Sequence, residues 1–139
     1  MEHEVDVAVN WWTGHLERAC AATHSGGVTR GPATTAAEVE VFREAFRRVL
    51  TVYLRPSWRP DEPSWAQGTR AFGVVYGPDD VIAIALDKSG IHGSAWLPIK
   101  TTMWIDPGEV RVRVGRHAPI ETLWKRVPSS TAAGRESKP

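Results

Sequence analysis

The sequence predicts an α+β fold with its helices first and its strands after, and three observations carry that reading. In two segments of the N-terminal half, apolar residues recur at spacings of three and four, the period of a helix with one buried face. Farther on, Glu109 to Val114 (EVRVRV) alternates strictly, with Val110, Val112 and Val114 on one face and Arg111 and Arg113 on the other, the period of a half-buried strand. Ahead of that run, Asp106-Pro107-Gly108 has turn chemistry, proline at the second position and glycine at the third. Helical segments followed by strand segments give the α+β class.

Taken in order, Val5, Ala8, Val9, Trp12, Leu16, Ala19 and Cys20 make the stripe of a first helix over about residues 5–23. The next stretch, HSGGVTRGPATT, is a glycine-rich loop. Thr35 with Glu38 forms a capping box, and Val39, Phe42, Phe46, Val49, Leu50 and Tyr53 mark a second helix that ends near Leu54, since Pro56 disfavours helix at Arg55. SWRPDEPSWAQG is then extended or turned. Strand candidates follow at residues 69–76, 101–105, 109–114 and 120–127. VIAIAL, residues 81–86, fits either a return strand or a short buried helix capped by Asp79 or Asp80, and its β-branched residues favour strand. PSSTAAGRESKP has no apolar period, so the reading is one domain over residues 1–127 and a disordered tail over 128–139.

Composition bounds the function. With 139 residues, 42% hydrophobic, and a formal net charge of +1, the chain makes one domain able to fold without disulfides or metal. Its longest apolar run, Val81 to Leu86, is far short of a bilayer span. The acidic start MEHEVDVAVN is unlike a signal peptide, which points to the inside of the cell, cytoplasm or nucleus, and the single Cys20 suits a reducing compartment. Near-neutral charge argues against generic nucleic-acid binding.

Little here reads as catalysis. Cys20 and His24 stand at i, i+4 with His15 nearby, but a lone cysteine on an apolar stripe is most simply a packing residue. Asp61 with Glu62 and Asp79 with Asp80 are adjacent pairs better suited to turns and caps than to sharing a proton. Gly26-Gly27 lacks the spacing of a phosphate loop, and five histidines show no ligand spacing, so no enzyme, cofactor or metal is expected. The tryptophans say more, at 7 against 3 Phe and 2 Tyr. Trp12, with Trp11 beside it, belongs to the core, and Trp96 is a packing plug. Trp58 and Trp65 sit in the proline-rich loop and Trp104 just before the turn, either as lids over a core edge or as anchors for a partner.

At that loop and turn the sequence resembles a known family. YLRPSWRPDEPSWAQGTRAFGVV is similar to box A of the BTG/Tob anti-proliferative proteins through Trp58, Pro60, Pro63, Gly68 and Arg70. LPIKTTMWIDPGEVRVRVG resembles their box B more closely, through Leu97-Pro98, Trp104-Ile105-Asp106-Pro107, Glu109-Val110 and Gly115. AVNWWTGHL and VEVFREAFRRVLTVYL resemble the family's helices, and DDVIAIALDKSGI its further helical segment, which turns the expectation for residues 81–88 from strand to helix. The resemblance implies a four-stranded antiparallel sheet packed with helices. It also implies a non-catalytic adaptor docking on the Caf-type deadenylase subunit of the Ccr–Not complex, promoting messenger RNA deadenylation and restraining proliferation. Trp104, Asp106 and Pro107 of box B, with Trp58, Pro60, Pro63 and Arg70 of box A, are the partner-binding residues it implies.

Two departures fall on that surface. Thr69 stands where the family has a tyrosine, and Gly108 where it usually has an aromatic residue; loss of one tyrosine anchor is worth about 1–2 kcal/mol, or about tenfold in affinity. Trp65, Pro56 and Ser57 depart as well. The alternative function is a single-stranded RNA-binding module in which Trp58 and Trp65 stack on bases and Arg59, Arg70, Arg111 and Arg113 meet phosphates.

Overall fold

A computed structural model of the chain describes residues 1–24, 35–75, 77–91, 97–98 and 100–127. The side chains of Cys20 and His24, Trp96, and the 128–139 tail lie outside the described residues.

Helix α1, Glu2–His24, and helix α2, Ala36–Leu54, are the two helices that periodicity predicts. The capping box at the start of α2 is complete: the Glu38 amide donates to Thr35 Oγ1 at 3.1 Å and the Thr35 amide donates back to Glu38 Oε1 at 2.8 Å. Both helices bury the expected stripes, Val5, Ala8, Val9, Trp12 and Leu16 on one, Val39, Phe42, Phe46, Leu50 and Leu54 on the other. Helix α2 ends at Leu54, but the chain continues directly into a short 3-10 turn, Arg55–Ser57. Arg55 keeps right-handed helical backbone (φ −52°, ψ −45°), with its amide still bonded to the Thr51 carbonyl although it precedes Pro56, and the chain then crosses the proline-rich loop.

The strands β1 (Ala71–Val74), β2 (Thr101–Asp106), β3 (Glu109–Val114) and β4 (Glu121–Lys125) pair antiparallel in the order β1-β2-β3-β4. This is the expected four-stranded sheet. Strand β1 is shorter than its candidate stretch because Gln67–Arg70 forms a second 3-10 turn, in which Arg70 is needed for the contacts described below. One face of the sheet, with Phe72, Val74, Met103, Ile105, Val110 and Val112, packs against the helices. Trp12 reaches across from α1, lying 5.9 Å from the Phe72 ring and donating its indole N–H to Met103 Sδ at 3.4 Å. The opposite face carries Trp104, Arg111 and Arg113.

Residues 81–88 are helical, within α3, Asp80–Ser89. Val81, Ile82, Ala85, Leu86 and Ser89 are its buried positions, a helical stripe laid on α2, so tertiary burial overrides the β-propensity of valine and isoleucine. Asp79 stands at the N-cap, as one of the two candidates, but its side chain does not cap the helix. It accepts the Gly73 amide at 2.8 Å, while its own amide donates to the Gly73 carbonyl at 2.9 Å, which pins the start of α3 to β1.

Among the described glycines, Gly73 leaves the least room for a side chain. A Cβ there would run into the carbonyl of Thr101 on β2. Gly73→Ala is therefore expected to lower the unfolding free energy by about 3 kcal/mol or to prevent folding. Gly77→Ala, at a position with open space around the added carbon, is expected to stay within about 0.5 kcal/mol of wild type. Urea unfolding followed by tryptophan fluorescence measures both.

Candidate partner-docking site

Arg70 closes the proline-rich loop onto the end of β2. Its side chain has no solvent exposure, and all of its N–H groups are engaged. Nε donates to the Ile105 carbonyl at 3.0 Å and to Asp106 Oδ1 at 3.2 Å. Nη1 donates to the carbonyls of Ser57 (2.6 Å) and Trp65 (2.8 Å), and Nη2 to the Pro63 carbonyl (2.6 Å) and Asp106 Oδ1 (3.0 Å). The loop's own amides turn back onto the carbonyls of Arg59, Glu62 and Ser64, and one guanidinium takes those of Ser57, Pro63 and Trp65. Asp106, also buried, uses its second oxygen to accept Gln67 Nε2 at 2.8 Å, with Arg111 Nη2 3.6 Å away.

The loop tip stacks on itself. Arg59 lies over the Trp65 ring, 3.7 Å from its centre, and pairs with Glu62 at 3.1 Å. Trp65 is still 40% exposed, whereas Trp58 is half-buried against the core. Thr69 donates its hydroxyl to the carbonyl of Ala66 at 2.7 Å, and Ala66 sits in left-handed backbone with φ 54°. Thr69 thus braces a strained residue at the loop's exit.

The β2–β3 turn is held from the other side. Gly108 has φ +88°, which favours glycine, and its amide donates to Glu4 Oε2 at 2.8 Å. Glu4 lies in the first turn of α1, almost fully buried, with Arg126 Nη2 3.6 Å away. Burial pushes its carboxyl up, but the Gly108 and Glu4 amides, with the Met1 amino terminus, pull harder, and its pKa falls below the ordinary value.

Between these fastenings Trp104 stands half-buried on the open face of the sheet. The tight turn at Pro107-Gly108 pairs Asp106 with Glu109, which places Trp104 opposite Arg111 and diagonal to Arg113. Both guanidiniums lie over the indole, at 5.6 and 5.7 Å from its centre. The ring is thus half-buried with both guanidiniums over it.

Of the sequence-predicted residues, Trp104, Trp58, Pro60 and Pro63 reach the surface, while Arg70, Asp106 and Pro107 are buried. Arg70 and Asp106 therefore position the loop and turn and present no side chain outward. Burial also removes Arg70 as a phosphate contact for RNA. The sequence points to neither Glu4 nor Gln67, and it offers Arg111 and Arg113 as phosphate contacts, not as neighbours of Trp104. The turn length would have given the arginines; no local pattern marks Glu4, which is 104 positions from its partner Gly108. Among the described residues no cluster of His, Cys, Asp and Glu could hold a metal ion, and no helix is long and apolar enough to cross a membrane.

The model of the BTG family matches residues 1–124. The chain belongs to the BTG family. It is 31% identical to rat (Rattus norvegicus) protein BTG2 over 101 residues, 69% of this chain and 63% of that one, so it spans less than two thirds of that relative. It is 32% identical over 116 residues to a BTG family protein of Dictyostelium discoideum, covering 82% of this chain and 25% of the other. Among solved structures, the BTG/Tob domain of C. elegans FOG-3 superposes with a TM-score of 0.66 at 20% identity over 90% of each chain, which confirms the BTG/Tob fold.

Two outcomes follow from the fastenings. Arg70→Lys keeps the charge but cannot reach five partners at once, and is expected to destabilise the domain by about 3–5 kcal/mol in urea unfolding. Glu4 is ionised more readily in the folded than in the unfolded chain, so its contribution is present above the ordinary value of 4.5 and is lost as pH falls through the lowered folded value. The stability gap between wild type and Glu4→Gln is thus expected to be widest near neutral pH and to narrow below about pH 4.5, measured by urea unfolding across that range.

Proposed function

We propose that this BTG family chain is a non-catalytic adaptor that binds the Caf-type deadenylase subunit of the Ccr–Not complex. By that contact it brings poly(A) shortening to chosen messages, in the cytoplasm or nucleus, and restrains proliferation. The observation that supports the reading most is the setting of Trp104: a large ring on the open sheet face, braced by Arg111 and Arg113 and flanked by a loop that Arg70 locks in place. An aromatic side chain already held in one orientation loses little entropy on docking, and its burial in a partner pocket is worth about 2 kcal/mol or more. Box A contributes Trp58, Pro60 and Pro63 at the rim, with Arg70, Asp106 and Pro107 acting beneath it.

Thr69 and Gly108 are consistent with a retained fold and an altered rim. Thr69 braces Ala66, and Gly108 supplies the positive φ that the turn needs. Both have local structural work in place of the aromatic contacts that the family makes there. The RNA-binding reading is weaker on this structure, because Arg59 covers one face of Trp65 and Arg111 and Arg113 are engaged with Trp104.

Calorimetric titration with the deadenylase subunit from the same source tests the proposal. Wild type is expected to bind at micromolar concentration or tighter. Trp104→Ala is expected to bind at least about thirtyfold more weakly, about 2 kcal/mol, with an unchanged far-ultraviolet spectrum. A well-folded wild type that binds RNA with steep salt dependence and not the deadenylase would overturn it.

A further inference from the structure

Helix α2 carries a second apolar stripe. Phe42, Phe46 and Leu50 face the core, yet Val41, Ala45 and Val52, with the half-buried Val49 between them, again three or four apart, run along the flank beside α3. With Ile84 of α3 they floor an open groove of about 780 Å³. Val52 is 64% exposed, Val41 49% and Ile84 44%, a concentration of large aliphatic side chains that a solvated face does not need. The groove lies in the helical layer, on the other side of the domain from Trp104.

Among the described residues, the charged groups on its rim that form no ion pair are both cationic. Glu44 is taken by Arg47 at 2.9 Å, whereas Arg48 and Lys88 border the groove and form no ion pair among the described residues. The chain's own undescribed segments do not fit it. Residues 25–34 contain Arg30 and no acid, 92–96 contain no acid, and 128–139 set Arg135 and Lys138 against the single Glu136, so none joins carboxylates to several large apolar side chains. A second copy of the same face would bring its own Arg48 and Lys88 to an already cationic rim.

We propose that the α2–α3 groove is a docking site for an acidic amphipathic helix of a partner protein. The partner's aliphatic side chains lie on Val41, Val52 and Ile84, and its Asp or Glu residues pair with Arg48 and Lys88. Because the groove and the Trp104 face are on different layers, both are open to partners at the same time, which suits an adaptor.

The test uses the full chain and a displayed library of sixteen-residue helices whose apolar face is fixed as Leu and Ile and whose polar positions vary among Asp, Glu, Lys, Arg and Ser. Selection is expected to enrich Asp and Glu at positions flanking the apolar face. The enriched peptides are expected to lose at least tenfold in affinity for Val52→Asp, to retain it for Trp104→Ala, and to give way to Lys- and Arg-bearing peptides when the selection is repeated on the Arg48→Glu/Lys88→Glu variant. Val52 and the two cations are exposed, so these variants should keep the wild-type melting temperature. Enrichment equal on wild type and Val52→Asp, or an apolar selection with no acidic bias, overturns the proposal. So does a concentration-dependent dimer in sedimentation equilibrium that Val52→Asp abolishes, which would assign the groove to a second copy.

Discussion

The buried pair of Arg70 and Asp106 governs the geometry of the loop and strand end around Trp104. A guanidinium and a carboxylate withdrawn from water each carry a desolvation cost of several kcal/mol, and their attraction offsets it only when the remaining donors and acceptors are also satisfied. Here they are: the carbonyls of Ser57, Pro63, Trp65 and Ile105 take the rest of Arg70, and Gln67 takes the second oxygen of Asp106. The contacts join two stretches of chain more than thirty positions apart, a loop with little regular structure and the last residue of a strand. Neither could hold its conformation alone, since the loop has prolines where amides would be needed and the strand end has only a turn beyond it.

From that constraint the placement of Trp104 follows. Two residues before Asp106 on the same strand, it takes the opposite face of the sheet from Met103 and Ile105, which anchor β2 in the core. Glu4 fixes the turn from below and Arg70 fixes the strand end from the side, so the indole stands on a rigid support. Arg111 and Arg113 then bracket it. Rigid presentation matters more to affinity than contact area, because each side chain ordered on binding costs about 0.5–1.5 kcal/mol.

Much of this was legible in the residues. The helices α1 and α2 and the strand β3 follow from period, the capping box from Thr35 and Glu38, and the turn from Pro107-Gly108. The helical state of 81–88 was not, because Val81 and Ile82 read as strand; only the family resemblance gave it, and burial against α2 explains it. Among the motif residues the structure separates exposed from buried: Trp104, Trp58, Pro60 and Pro63 reach the surface, while Arg70, Asp106 and Pro107 do not. A conserved-looking pattern of Trp, Pro, Arg and Asp does not say which side chains face outward. That depends on where the unsatisfied carbonyls of the loop lie in space, and Arg70 and Asp106 turn inward to meet them. Long-range polar contacts such as Glu4 with Gly108 leave no local period to read.

Arg70 and Asp106 act as one unit that joins loop to sheet, and a double-mutant cycle on stability measures that coupling. Urea unfolding of wild type, Arg70→Met, Asp106→Leu and the double variant gives the coupling. Each single change strands a buried charge, so the account predicts that the double variant is more stable than the sum of the single losses implies, by about 2 kcal/mol or more. Losses that add within about 0.5 kcal/mol would contradict it and would mean that the two residues stabilise the loop and the strand end separately.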